Sequence, residues 1–429
     1  MRLCKSPFLK RKGDEMTEKT VLENGLTVVF EKIEYVRSVS FGIYVKNGSR
    51  NENGANNGIS HFIEHELFKG TQKRSAKDIA EEMDEIGGQL NAYTTKEYTC
   101  YYAKVLDTQT ENAIDIIADM FFNSRFDDCD IEKERKVITE EINMYEDSPE
   151  DLVYEILQNE IWKENSLGMP ILGTVNTIAN INGKNIKEYV KENYRADNTV
   201  IAVCGCYDRD EMLGYIEKYF GRFKGGNAKK TENKPVIYRK AIVKQEKDIE
   251  QLHLCMVSPG VKLGTDENYT LSVINNVFGA SMSSMLFQKI REEHGLAYSV
   301  YSFGNSFSDT GLFGIYAGLG AEQINDVYSL IYECIEEIKK NGISEKQLRK
   351  SREQIKSNYI MGLESTSSRM GMMGRGQLLL GRVLEDDAVL KKIDMVDKER
   401  TDKMIKEIFD TDKMSISVVG KNVGKIDIF

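Results

Sequence analysis

Apolar and polar positions along this chain switch between a two-residue alternation and a spacing of three to four, the periods of strand and helix. Val21 to Ile33 holds Asn24-Gly25 between two apolar runs, which predicts a hairpin, and Val36 to Lys46 alternates as a further strand. The polar loop 47–58 then leads into a short helix with Ser60 as its expected N-cap. Ser75 caps a second predicted helix, Ala76 to Ile86, which Gly87-Gly88 ends. Residues 89–106 read as a strand pair turning near Lys96-Glu97. Helices are predicted at Glu111 to Phe122 and from about Asp130 to Glu146, with more up to Asn193. A buried strand at 198–206 and a helix from Arg209 to Phe220 complete the series.

The series then starts again. A strand at 251–262 precedes a helix from Tyr269 to Phe278, a second helix at 284–295 and a strand pair at 296–319. Helices from Ala321 to Lys340 and Ser344 to Leu363 follow, and a strand at 413–420 closes the set. Between the two series, Arg222 to Val236 is polar, glycine-containing and without periodicity, as a linker would be. The expected fold is therefore α+β: two structurally related domains, each a mixed, mostly antiparallel sheet backed by helices. The expected bounds are 17–221 and 239–429, joined by a linker at 222–238. Residues 1–16 are basic but lack an apolar segment, so they read as a loosely held extension, with Met16 a candidate start, and not as a secretory signal.

Composition narrows the class. At 429 residues, 41% hydrophobic and 29% charged, the chain can bury two cores and is not a disordered polymer. A net charge of −10 argues against a nucleic-acid binder, and no apolar run is long enough to span a membrane. Seven scattered cysteines, an odd number, suggest a reducing, cytoplasmic compartment and not a disulfide framework. Cys204 and Cys206 would share a strand face, where buried thiols are a simpler reading than a metal pair.

The chemistry concentrates in Gly58-Ile59-Ser60-His61-Phe62-Ile63-Glu64-His65. His61 and His65 are four apart, so on a helix both imidazoles leave one face and can grip one cation. Glu64 is placed to take a proton from water activated by that cation. The order H-x-x-E-H is the inverted zincin motif. Two imidazoles and one further anion would leave a tetrahedral Zn2+ with the open position that hydrolysis needs. The third ligand is sought on the acidic helix 130–146, where Glu141, Glu140 and Glu134 all remain candidates.

Four stretches carry a resemblance: "NNGISHFIEHELFKGT", "IGGQLNAYTTKEYTCYYAKVL", "ERKVITEEINMYEDSP" and "LFQKIREEHGLAYSVYS". Together they resemble the pitrilysin/insulinase-type zinc metallopeptidases, and among them the short bacterial relatives of the mitochondrial processing peptidase β subunit. The resemblance covers about residues 17–420. It implies the inverted-zincin two-domain fold, one zinc per chain, Glu141 as third ligand and Glu134 as a carboxylate supporting the site. It further implies that Asn91 and Ala92 pair with a bound peptide, and that Arg291 and Tyr298 reach the substrate carbonyl. A homodimer enclosing a chamber, in which peptides or unfolded segments are cut internally, belongs to the same implication. Glu66 stands where relatives are usually apolar and is expected to add local negative charge; Met285 stands where relatives usually carry Arg. His253 and His294 read as structural. Residues 369–381, "RMGMMGRGQLLLG", resemble a mobile glycine-rich loop of a processing-peptidase partner subunit and read equally as an interrupted helix start. The alternative to an enzyme is a non-catalytic or partner-dependent assembly subunit of the same fold.

Overall fold

The computed structural model describes residues 17–226 and 234–426. The expected extension 1–16 and the middle of the expected linker, 227–233, lie outside the described residues.

The first series builds one sheet from β1 (Glu18–Val21), β2 (Thr27–Lys32), β3 (Ser38–Val45), β4 (Gln89–Thr94), β5 (Thr99–Leu106) and β6 (Thr199–Gly205). Its order is β1-β2-β6-β3-β5-β4, antiparallel except for the β2–β6 pair. The second sheet comprises β7 (Ile242–Glu246), β8 (Gln251–Pro259), β9 (Ala297–Ser306), β10 (Gly311–Gly320) and β11 (Ser415–Gly420). Its order is β7-β11-β8-β10-β9, again with one parallel pair, β7–β11. The second sheet therefore reproduces the first from β2 onward.

Around the first sheet run α1 (Ile59–Glu66), α2 (Ala76–Glu85), α3 (Thr110–Asn123), α4 (Asp128–Glu146), α5 (Pro149–Ile161), α6 (Val175–Ile178), α7 (Gly183–Asn193) and α8 (Arg209–Phe220). The second series adds α9 (Glu267–Phe278), α10 (Ile324–Asn341), α11 (Glu345–Gly362), α12 (Thr366–Leu380), α13 (Asp386–Asp394) and α14 (Lys398–Ile408). Strands β3 and β6 are buried almost throughout, which two covered faces require. One face packs Val39, Phe41 and Ile43 against Ile114, Phe121 and Phe220. The other sets Val29, Tyr44, Val200, Ala202 and Cys204 against Met370, Met373 and Leu378 of α12.

That second cover comes from the wrong half. The exchange is reciprocal: Leu152, Val153, Leu157 and Ile161 of α5 pack on Cys255, Val257, Tyr316 and Val419 of the second sheet. Each half thus supplies the outer layer of the other. The stretch 369–381 is accordingly neither a loop nor an interrupted helix start: residues 369–380 belong to the continuous helix α12 and Gly381 is its C-cap. Gly374 serves close approach, since a Cβ there would lie 2.2 Å from the Tyr44 ring. A polar joint also ties the halves. The buried Arg50 guanidinium donates to Glu97 (2.8 Å) at the β4–β5 turn and to Asp309 (2.5 Å) at the β9–β10 turn.

Two local expectations are corrected. Ser60 is not the N-cap of α1: Gly58 holds that position at φ +95°, a left-handed conformation glycine adopts without strain. The segment 284–295 is not an ordinary α-helix, because Phe287–Glu293 winds as a π-helix. The hairpin at Asn24-Gly25, the cap at Ser75 and the strand pairs 89–106 and 296–319 form as read.

Candidate metal centre

Helix α1 is short, and its placement depends on a buried carboxylate. Glu52 accepts from the backbone N–H of Gly58 (2.7 Å) and Ser60 (2.8 Å) and from Asn57 Nδ2 (2.9 Å). These bonds satisfy N–H groups that a helix start leaves unpaired, while Ser60 turns its hydroxyl inward as acceptor from Asn47 (3.1 Å). Burial pushes the Glu52 carboxyl up to about 7, against those hydrogen bonds. On the opposite side, Phe62 and Ile63 fill the first core.

The polar face of α1 meets α4. Glu141 Oε2 lies 3.6 Å from His61 Nε2 and 3.5 Å from His65 Nε2. Two donors about 2.0–2.1 Å from a tetrahedral zinc stand roughly 3.3–3.4 Å apart, so both separations from Glu141 suit a zinc site. Among the described residues it is the one group of three or more His, Cys, Asp or Glu ligand atoms all within 4.8 Å. Glu134 Oε2 accepts from His65 Nδ1 at 3.1 Å and Lys69 binds the same carboxylate at 2.6 Å. A carboxylate can only accept, so His65 Nδ1 donates to Glu134, which leaves Nε2 as the nitrogen that would ligate zinc. The residues therefore fit a zinc ion. Of the three candidate third ligands, Glu141 joins the group, Glu134 stands behind His65, and Glu140 is exposed to solvent.

Electrostatics agree with that geometry. Burial, with the charge of His65, pushes His61 down to about 4, against Glu141. At His65 burial works the other way, but hydrogen bonds to Glu141 and Glu134 win and hold the ring above its ordinary value. The His65 hydrogen bond holds Glu141 below the usual carboxylate range. Glu64, on the same helix, is raised by burial, and its Oε2 accepts from Thr94 Oγ1 at 2.6 Å.

Thr94 ends β4, which among the described residues is an edge strand of the first sheet and also carries Asn91 and Ala92. The Ala92 N–H bonds to Asn91 Oδ1 (2.8 Å), and Leu90 and Ala92 pack against the first core. Arg291 and Tyr298 lie in the second half. The guanidinium sits 5.3 Å from the Tyr298 ring, and Tyr298 is 77% exposed. The structure brings these two together, but among the described residues neither makes a hydrogen bond or ion pair with His61, Glu64, His65 or Glu141.

Glu66 departs from its expectation. It is buried, both carboxyl oxygens lack a hydrogen-bond partner among the described residues, and burial, with Glu134 and Asp130, pushes it up to about 8. Those influences oppose its ionisation, so the surroundings disfavour the expected local negative charge. Met285 packs against the second core. His253 bonds to Tyr316 Oη (2.8 Å) and His294 to the Lys289 carbonyl (2.7 Å), both outside the metal group. Cys204 is a core thiol raised by burial to about 12. Glu52 and Thr94 escaped the sequence reading. Period-two alternation places Thr94 on the face of Leu90 and Ala92, a usable signal, whereas nothing local marks Glu52.

Comparison with known proteins agrees with this fold. Residues 27–175 match the insulinase description of Peptidase family M16, and residues 180–355 match its inactive-domain description. The chain belongs to this peptidase family. It is 43% identical to YmxG, an uncharacterized zinc protease of Bacillus subtilis, over 92% of this chain and 97% of that protein. An uncharacterized zinc protease of Streptomyces coelicolor is 36% identical over 95% of this chain and 90% of its own. In fold, a protease from Helicobacter pylori superposes with a TM-score of 0.88 at 22% identity, covering 94% of this chain and 99% of that one. A chain of complex III2 from Candida albicans gives a TM-score of 0.82 at 22% identity, covering 96% and 97%. Among the described residues no helix is long and apolar enough to cross a membrane.

Proposed function

We propose that this chain is a zinc-dependent endopeptidase acting on peptides or unfolded segments, with one zinc held by His61, His65 and Glu141. The observation that carries the reading is the convergence of those three donors beside Glu64 and beside β4, an edge strand among the described residues. Zinc bound there supplies a Lewis acid that acidifies water and polarises the scissile carbonyl. Glu64 takes a proton from the attacking water and passes it to the leaving amine. Strand β4 receives the substrate by main-chain hydrogen bonds at Asn91 and Ala92. Arg291 and Tyr298 donate to the developing oxyanion, brought there by closure of the halves or by the second subunit of a homodimer with an enclosed chamber. The six cysteines described, all free, support a reducing, cytoplasmic setting.

A second reading is favoured by the likeness to the complex III2 chain: a non-catalytic or partner-dependent assembly subunit. Incubating the purified chain with quenched peptides, with and without a chelator, separates the two. The Glu64→Gln variant should keep its zinc and lose cleavage. Cleavage by that variant near the wild-type rate would remove Glu64 from the chemistry, and a zinc-loaded wild type inert toward every peptide would favour the assembly subunit.

A further inference from the structure

We propose that Thr94 is a positioning residue for Glu64, tying the general base to the strand that receives the peptide. The inference rests on the peptidase reading above and extends it to a residue outside the metal motif. Proton accounting fixes the direction of the contact. Thr99 Oγ1, 3.4 Å from Thr94 Oγ1, donates its proton to the Asn47 carbonyl at 2.9 Å. An ionised Glu64 can only accept, so the single Thr94 proton goes to Oε2 at 2.6 Å. Among the described residues the Glu64 carboxyl is held by hydrogen bonding from Thr94 alone, through its hydroxyl and its backbone N–H. The terminal torsion of a glutamate is broad, so the hydroxyl bond, added to the backbone one, selects the orientation of the carboxyl.

The seat of Thr94 is itself fixed. Beyond it, Thr95 closes the turn through its N–H and its hydroxyl, both to the Tyr98 carbonyl at 2.8 Å. The segment 49–50 holds the outside of that turn by Ser49 N–H to Thr95 O (3.2 Å) and Arg50 N–H to Lys96 O (2.8 Å). Thr94 therefore cannot follow Glu64 if the carboxyl rotates. A peptide pairing with β4 is placed in the same frame as the base, so the attacking water and the scissile carbonyl share one reference.

The test uses the zinc-loaded full chain and a quenched peptide. Thr94→Val keeps the shape and β-branching and removes the hydroxyl; Thr94→Ser restores it. Thr94→Val should lower kcat between about 10- and 100-fold with KM within about twofold, and Thr94→Ser should recover to within about threefold of wild type. Zinc affinity by chelator competition should match wild type in both, and a crystal structure of Thr94→Val should show the Glu64 carboxyl rotated. If valine disturbs the strand, a Thr94→Ala and Thr94→Ser pair makes the same contrast. A kcat for Thr94→Val near wild type, a serine variant as slow as valine, or a loss that tracks zinc affinity would each overturn the assignment. A wild type that cleaves, an inert Glu64→Gln and an unaffected Thr94→Val would defeat this inference alone. An inert wild type would defeat the peptidase reading beneath it.

Discussion

The two halves place equivalent elements against each other and make opposite use of the contact. In the first, α1 meets α4 through His61, His65, Glu134 and Glu141. In the second, α9 meets α11 at the same point of the topology. There Ser351 bonds to the Val273 carbonyl (3.3 Å) and Asn276 to Gln354 (3.3 Å), while Val273, Ile274, Val277 and Phe278 fill the core. One seam carries titratable donors aimed at a common point and the other neutral groups that satisfy one another. The fold therefore supplies two seats of similar shape, and a few side chains decide which one can hold a cation.

The largest effects should come from exchanging the character of the two seams. Glu141→Ala should abolish zinc binding, read by metal analysis, and with it cleavage. Gln354→Ala, at the matching contact, should leave zinc content unchanged, and a loss of metal there would break the comparison. Glu134→Gln leaves the ligand triangle whole but loosens the hold on His65 Nδ1, so zinc affinity should fall about 10- to 100-fold in a chelator competition.

Next come the exchanged helices. Leu157→Ala in α5 should cost about 2–5 kcal/mol, and Gly374→Val in α12 about 1–3 kcal/mol through contact with Tyr44, both read by denaturant unfolding. Because each helix covers the other half, either change should shift one common transition and not release one half alone.

The smallest effect concerns pH. Burial, opposed by Glu150, holds His253 below its ordinary value. The unfolded chain thus binds a proton that the folded chain refuses. Stability from this group is complete above about pH 6.5 and declines as pH falls toward the lower folded pKa, by at most about 1.4 kcal/mol per pH unit. His253→Gln should flatten that decline, and an unchanged slope would exclude His253 as its source.

Much of this was legible in the chain because it is local. Ligand spacing on α1, the hairpins and the repeated order of strands all follow from periods of two and 3.6. Glu141 required the family resemblance, since spacing alone could not separate it from Glu134 or Glu140. What stayed hidden depends on contacts distant in sequence. Glu52 caps α1 from within a polar loop, so its role exists only once Gly58 turns the chain back onto it. Glycines at 371, 374 and 376 argue against a helix on propensity, yet packing on Tyr44 favours a small residue at 374. The burial of Glu66 is likewise invisible from its neighbours, because only the packed structure removes its carboxyl from water.

The reciprocal loan of α5 and α12 has a practical consequence for anyone dividing the gene. A cut near residue 230 would strip Val29, Tyr44 and Val200 of their cover in one fragment and Cys255, Val257 and Val419 in the other. Each piece would present a bare apolar sheet face to solvent, so the fragments should be obtained together, by co-expression, or not at all.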